Sequence, residues 1–201
     1  MELQKFNRAL FGAMVISGAM GIASQAHALN ITPAGPGLVA TPSGLPANSL
    51  NADDVELLLG LNFDLGSLYK QDEPVLAMPP YNESGNGAGY YTTSFNGDLS
   101  GGTISWDGPL FADCPSCYLV VKDGHQDPYA YIFDLGNWDG QETINLSGFW
   151  PAQGSISYVQ IFNSAENGGG SLVPEPETYA MLLAGLGLVG FAARRKLSKT
   201  V

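Results

Sequence analysis

Between Ala52 and Ser164 the sequence is cut into short runs by Gly, Asn, Asp and Pro, and that interruption decides what the stretch can fold into. The runs Val55–Leu59, Tyr90–Phe95, Gly102–Trp106, Tyr118–Lys122, Tyr129–Leu135, Glu142–Leu146 and Ser155–Phe162 are rich in aromatic and β-branched residues. Such residues suit a pleated, half-buried surface. Asp123-Gly124, inside Lys122–Gln126, supplies the positive φ that a hairpin turn demands, and Asp139-Gly140 makes a second such turn. Tyr129, Tyr131, Phe133 and Leu135 share one face by period 2 and Ala130 and Ile132 the other, the pattern of a central strand. The expected fold is therefore mainly β, a single antiparallel β-sandwich-like ectodomain. One stretch offers an alternative. Over Asp53–Asp64, Val55, Leu58, Leu59 and Phe63 recur at helical spacing behind Asn51, a residue suited to an N-cap, so a short helix competes with a strand there.

The first residues address the chain for export. Lys5 and Arg8 precede an apolar stretch from Ala9 to Ala23, which ends in small and polar residues through Ala28. This is the order of a secretory signal peptide, expected over residues 1–28. Ala26 and Ala28 place small side chains where a signal peptidase needs them, so cleavage is expected after Ala28. An uncleaved anchor is the alternative. The apolar stretch, broken by Ser17 and three glycines, falls short of the roughly 20 residues a spanning helix needs.

At the other end three blocks stand in fixed order: Val173-Pro174-Glu175-Pro176-Glu177, the apolar run Ala180–Ala193, and the basic cluster Arg194-Arg195-Lys196. Pro174 and Pro176 lack amide donors, so the first block is expected to join no sheet, to start no helix early and to present an extended, accessible strand to a protease groove. Tyr179 has the position of an interfacial aromatic ring, and the basic cluster places the tail on the cytoplasmic side. A transmembrane helix is expected at about residues 179–193. Its 14 apolar residues span roughly 21 Å against a hydrocarbon core of about 30 Å, a gap that snorkelling by Arg194 and Arg195 can close.

These blocks resemble the PEP-CTERM sorting signal, also described as the ice-binding-protein C-terminal motif. The resemblance covers residues 173–198 and implies recognition by exosortase, a membrane-embedded enzyme that would cut near Glu175 to Pro176. It also implies an inner-membrane precursor and a mature protein at the cell surface or in the extracellular matrix. A plain tail anchor is the alternative. The stretch from Cys117 through Phe162 is in addition similar to the core of many PEP-CTERM ectodomains, which implies a surface or matrix module with no activity attached.

Residues 29–173 hold sixteen Asp and Glu against only Lys70 and Lys122, a field that repels phosphates, so nucleic acid is excluded as a partner. Within this segment Thr32–Leu50, with four prolines and three glycines, shows no hydrophobic period, and residues 29–51 are expected to be a flexible lead-in to an ectodomain over 52–164. Residues 165–172 are Gly-rich and are expected to be a spacer that holds the sorting motif away from the domain.

Cys114-Pro115-Ser116-Cys117 has redox-motif spacing but lacks the βαβ setting of a thioredoxin-like site. In an exported chain Cys114 and Cys117 are expected to form a local disulfide. Zinc needs four ligands, and His125 is the only histidine left after signal cleavage, so no metal is expected. Asp107, Asp113, Asp123, Asp127, Asp134 and Asp139 have the hard oxygens that calcium requires, yet turn geometry accounts for most of them. Trp106, Trp138 and Trp150 are candidates for stacking on sugars, against the alternative of core packing. No Ser-His-Asp set, phosphate loop or nucleotide fingerprint stands in the sequence, and no catalytic residue or cofactor is expected. The expected function is that of a non-catalytic surface or matrix protein, sorted by exosortase and associated with exopolysaccharide or biofilm. A carbohydrate-binding module and an enzyme acting on the polysaccharide coat are the alternatives.

Overall fold

The computed structural model describes residues 28–44, 50–73, 83–123, 125–136, 138–151, 154–164, 172–174 and 176–197. The elements run β1 (Ala28–Ile31), β2 (Leu38–Ala40), α1 (Ala52–Leu59), β3 (Leu65–Asp72), β4 (Glu83–Ser84), β5 (Tyr91–Phe95), β6 (Gly102–Trp106), β7 (Leu110–Ala112), β8 (Cys117–Lys122), β9 (Ala130–Asp134), β10 (Thr143–Leu146), β11 (Tyr158–Ser164), β12 (Leu172–Pro174) and α2 (Pro176–Leu197). The fold is mainly β. Among the described residues four strands form one sheet in the order β1-β10-β6-β5, six form a second in the order β2-β9-β8-β11-β3-β4, and β12 pairs with β7 alone.

Register explains the core. Tyr69, Ile161, Leu119 and Phe133 lie side by side across β3, β11, β8 and β9. All four belong to one buried cluster with Tyr91, Ile104 and Ile144 of the four-stranded sheet. The next residues along the six-stranded sheet point the opposite way by period 2. Val120, Ile132 and Phe162 therefore enter a second cluster with Leu50, Leu65 and Val55 of α1. The central strands β8, β9 and β11 are buried on both faces because both are covered.

α1 settles the competition between strand and helix over Val55–Leu59 in favour of the helix. Asn51 accepts the Asp54 amide at 2.9 Å and the Asp54 carboxylate accepts the Asn51 amide at 3.0 Å, a reciprocal cap. Gly60 ends the helix in the left-handed region at φ 64°. Full burial of Val55 adds about 1.5–3 kcal/mol, and Asn51→Ala removes about 1 kcal/mol by freeing the N-terminal amides.

Several expectations are corrected. The lead-in over 29–51 contributes β1 and β2, which pair with β10 and β9. Both are three or four residues long and lie at sheet edges, where flanking Pro costs no ladder bond and so little hydrophobic period is needed. β1 runs parallel to β10, so the pairing is not antiparallel throughout. Tyr129 joins Ala130 and Ile132 in the cluster under α1 instead of following Tyr131, because it precedes the strand and is not bound by its period. Lys122 is the last residue of β8, paired with Ala130, and Asp123 to Gln126 lie in the connection to β9, which runs on to Tyr129 and is longer than a tight turn; Gly124 is outside the described residues. Asp139-Gly140 turns the chain from one sheet to the other and closes no hairpin. The signal peptide, apart from Ala28 in β1, lies outside the described residues, as does Ala26.

Candidate functional site

Most of the residues singled out for chemistry, the three tryptophans and Asp123, Asp134 and Asp139 among them, are used by the fold. Asp123 accepts the amides of His125 and Ser155, both at 2.8 Å, and is buried. Asp134 accepts the Gly136 amide at 2.8 Å, and Asp139 accepts those of Gln141 and Glu142 at 2.8 Å. Asp107, Asp113, Asp127 and His125 are exposed. No group of three or more His, Cys, Asp or Glu among the described residues is placed to hold a metal ion. The indole N–H of Trp106, Trp138 and Trp150 donates to the carbonyls of Leu110, Glu142 and Pro128 at 2.7, 2.8 and 3.0 Å. Trp138 and Trp150 are buried, 3% and 9% exposed, so neither offers a face for sugar stacking. Lys70 and Lys122 both face the Tyr158 ring, with Nζ 4.4 and 5.7 Å from its centroid. Burial pulls the Lys122 ammonium below its ordinary value, against the opposing pull of Asp123.

What the structure does bring together is a short ledge, β7, and the start of the tail. Three residues make poor strands alone, and β7 is fixed from one side. Trp106 holds the Leu110 carbonyl and sets its ring edge-on to Phe111, centroids 6.3 Å apart. Tyr91 Oη accepts the Ala112 amide at 2.9 Å and donates to the Gly140 carbonyl at 2.8 Å. Burial pushes the Tyr91 hydroxyl up to about 12, against the Ala112 bond that lowers it. Gly140 has φ 78°, and a Cβ there would collide with the Ala112 carbonyl, so only glycine fits. Beside the ledge a cleft of about 450 Å³ is lined by Phe111, Asp113, Cys114, Pro115, Trp138 and Asp139, among others. Cys114 and Cys117 are disulfide-bonded at its rim, Cα atoms 5.3 Å apart.

The other side of β7 takes the tail. Leu172, Val173 and Pro174 stand antiparallel to Ala112, Phe111 and Leu110. Polar groups of alternate strand residues point to opposite sides. With Leu110 and Ala112 turned toward Trp106 and Tyr91, the backbone of Phe111 faces Val173. Pro174 then occupies a register position that donates nothing, which is why a proline is tolerated. This corrects the expectation that the motif stays out of any sheet. Leu172, assigned to the spacer, is the first residue of β12; residues 165–171 lie outside the described ones. α2 starts earlier than the expected residue 179, inside the block expected to start no helix: Pro176 opens it, a position where its missing N–H costs nothing and its fixed φ fits. Glu175 lies outside the described residues; Glu177 is in the first turn of α2, and Arg194, Arg195 and Lys196 are in its last.

α2 has 22 residues, roughly 33 Å. Residues 179–190 are exposed throughout, Met181, Leu183, Leu188 and Val189 by two thirds or more. Among the described residues no helix is long and apolar enough to cross a membrane. Sequence reasoning missed β7: Leu110-Phe111-Ala112 sits between Pro109 and Asp113 with no alternation long enough to register.

No curated protein and no solved structure matches this chain. A family profile does, that of the PEP-CTERM protein-sorting motif, over residues 172–196. The matched span begins at the first residue of β12 and ends on Lys196 in the last turn of α2. The chain thus carries a PEP-CTERM sorting motif and is an exported, surface-directed protein addressed to exosortase.

Proposed function

We propose that this chain is a non-catalytic component of the cell surface or extracellular matrix, associated with exopolysaccharide or biofilm. Its tail inserts in the inner membrane as a precursor and is removed by exosortase near Glu175 to Pro176, and Ala26 and Ala28 guide signal peptidase at the other end. The observation that carries the reading is the sorting motif at residues 172–196. The helix that follows supports it. α2 is apolar around its circumference over 179–190, with those residues exposed, and such a helix needs an apolar surrounding. Arg194, Arg195 and Lys196 at its end favour a cytoplasmic terminus. The non-catalytic part of the reading is supported by the use of Asp123, Asp134 and Asp139 as acceptors for turn amides. Burial of Trp138 and Trp150 weighs against a carbohydrate-binding module built on them.

Fractionation of otherwise identical cells with and without exosortase tests the reading. The chain is expected in the surface or matrix fraction of the first and in the inner-membrane fraction of the second. An identical distribution in both contradicts it.

A further inference from the structure

We propose that β7 is a latch that holds the sorting motif closed, so that exosortase acts only on chains whose β12 has peeled away. The inference rests on the sorting reading given above. Its own basis is geometric. Val173 and Pro174, the first residues of the sorting block, stand in register with Phe111 and Leu110. A groove that takes an extended peptide uses the backbone edge of that peptide, and one edge of β12 is already committed to β7. Only Glu175 separates β12 from α2. With α2 in a bilayer, a paired β12 leaves a single residue of chain between the ectodomain and the helix.

The ledge is built to persist while the strand on it can leave. β7 is tied to the domain by Trp106 and Tyr91 on its far side, contacts that do not depend on β12. β12, by contrast, is three residues long and among the described residues pairs with no other strand. A pair of that length opens at little cost, the property of a segment that moves in function. Docking on the ledge thus delays the motif without abolishing its use. It also ties exposure of the motif to the state of the folded ectodomain.

Two variants test the latch in the full-length chain. Phe111→Pro removes the N–H that faces Val173, so amide exchange at Val173, in precursor purified in detergent from cells lacking exosortase, is expected to quicken on the order of tenfold. In exosortase-bearing cells, pulse–chase should show its tail lost several times faster than that of the wild type. The second variant, Phe111→Cys with Val173→Cys, bridges an antiparallel pair whose Cα separation of about 5.5 Å suits a disulfide. Its oxidised form should keep the tail, and a reductant should restore processing to the wild-type rate under the same reductant. If Phe111→Pro fails to fold, the bridged variant decides. The latch is overturned if Val173 exchanges as fast in the wild type as in Phe111→Pro, or if the oxidised bridge is processed at the wild-type rate. A wild type that keeps its tail in exosortase-bearing cells brings down the sorting reading and the latch with it. Normal wild-type processing beside normal processing of the bridged form brings down the latch alone.

Discussion

The Tyr91 hydroxyl, in the core between the two main sheets, accepts the backbone amide of Ala112 at 2.9 Å and so anchors the strand on which the sorting motif docks. The same oxygen donates to the Gly140 carbonyl at 2.8 Å, so one buried side chain ties β7 to the turn after β9. Tyr91→Phe keeps the ring and deletes the oxygen, leaving a buried amide and a carbonyl without that partner. A loss of about 1–3 kcal/mol is expected in urea unfolding of the full chain. An unchanged midpoint contradicts the anchoring role.

Alkaline pH weakens the core through the same group. Burial pushes both Tyr91 and Tyr69 up to about 12 from an ordinary value near 10. In that interval the folded state holds protons that the unfolded state has released. Stability is therefore full below about pH 10 and falls as pH rises from about 10 to about 12. Denaturant titrations at a series of pH values check the sign; stability that rises across this window contradicts it.

Cys114 and Cys117 close a loop of only a few residues, so their bridge removes little chain entropy from the unfolded state. The joint Cys114→Ser and Cys117→Ser variant is expected to lose about 2 kcal/mol at most. A thiol assay on the denatured, unreduced mature protein is expected to find no reactive thiol. Two reactive thiols contradict the bridge.

Calcium is expected to leave the melting temperature unchanged, because the carboxylates of Asp123, Asp134 and Asp139 are engaged by backbone amides. Melts with calcium and with chelator should coincide. A rise of several degrees on adding calcium contradicts this.

The strands that form the core were legible in the sequence because aromatic and β-branched residues concentrate in runs bounded by Gly, Asn, Asp and Pro. Tyr91–Phe95, Gly102–Trp106 and Cys117–Lys122 lie within a residue of where the pattern places them. β3 was not legible, since Gly66, Lys70, Gln71 and Asp72 break the pattern. Gln71 is nevertheless buried, and the chain there is held by the β11 register instead of by its own composition. β1, β2, β7 and β12 are three or four residues long, and only their partners reveal them. The sorting block was legible as a motif, yet its docking was not. Two prolines argue against a sheet until the register shows that Pro174 faces a position where no N–H is needed.

Mass spectrometry of the mature C-terminus tests the central claim most directly. From cells that hold exosortase, the protein is expected to end near Glu175 and to lack α2 and the basic cluster. From cells without the enzyme, the chain should extend to Val201. Recovery of an intact Val201 from exosortase-bearing cells contradicts sorting and leaves a plain tail anchor.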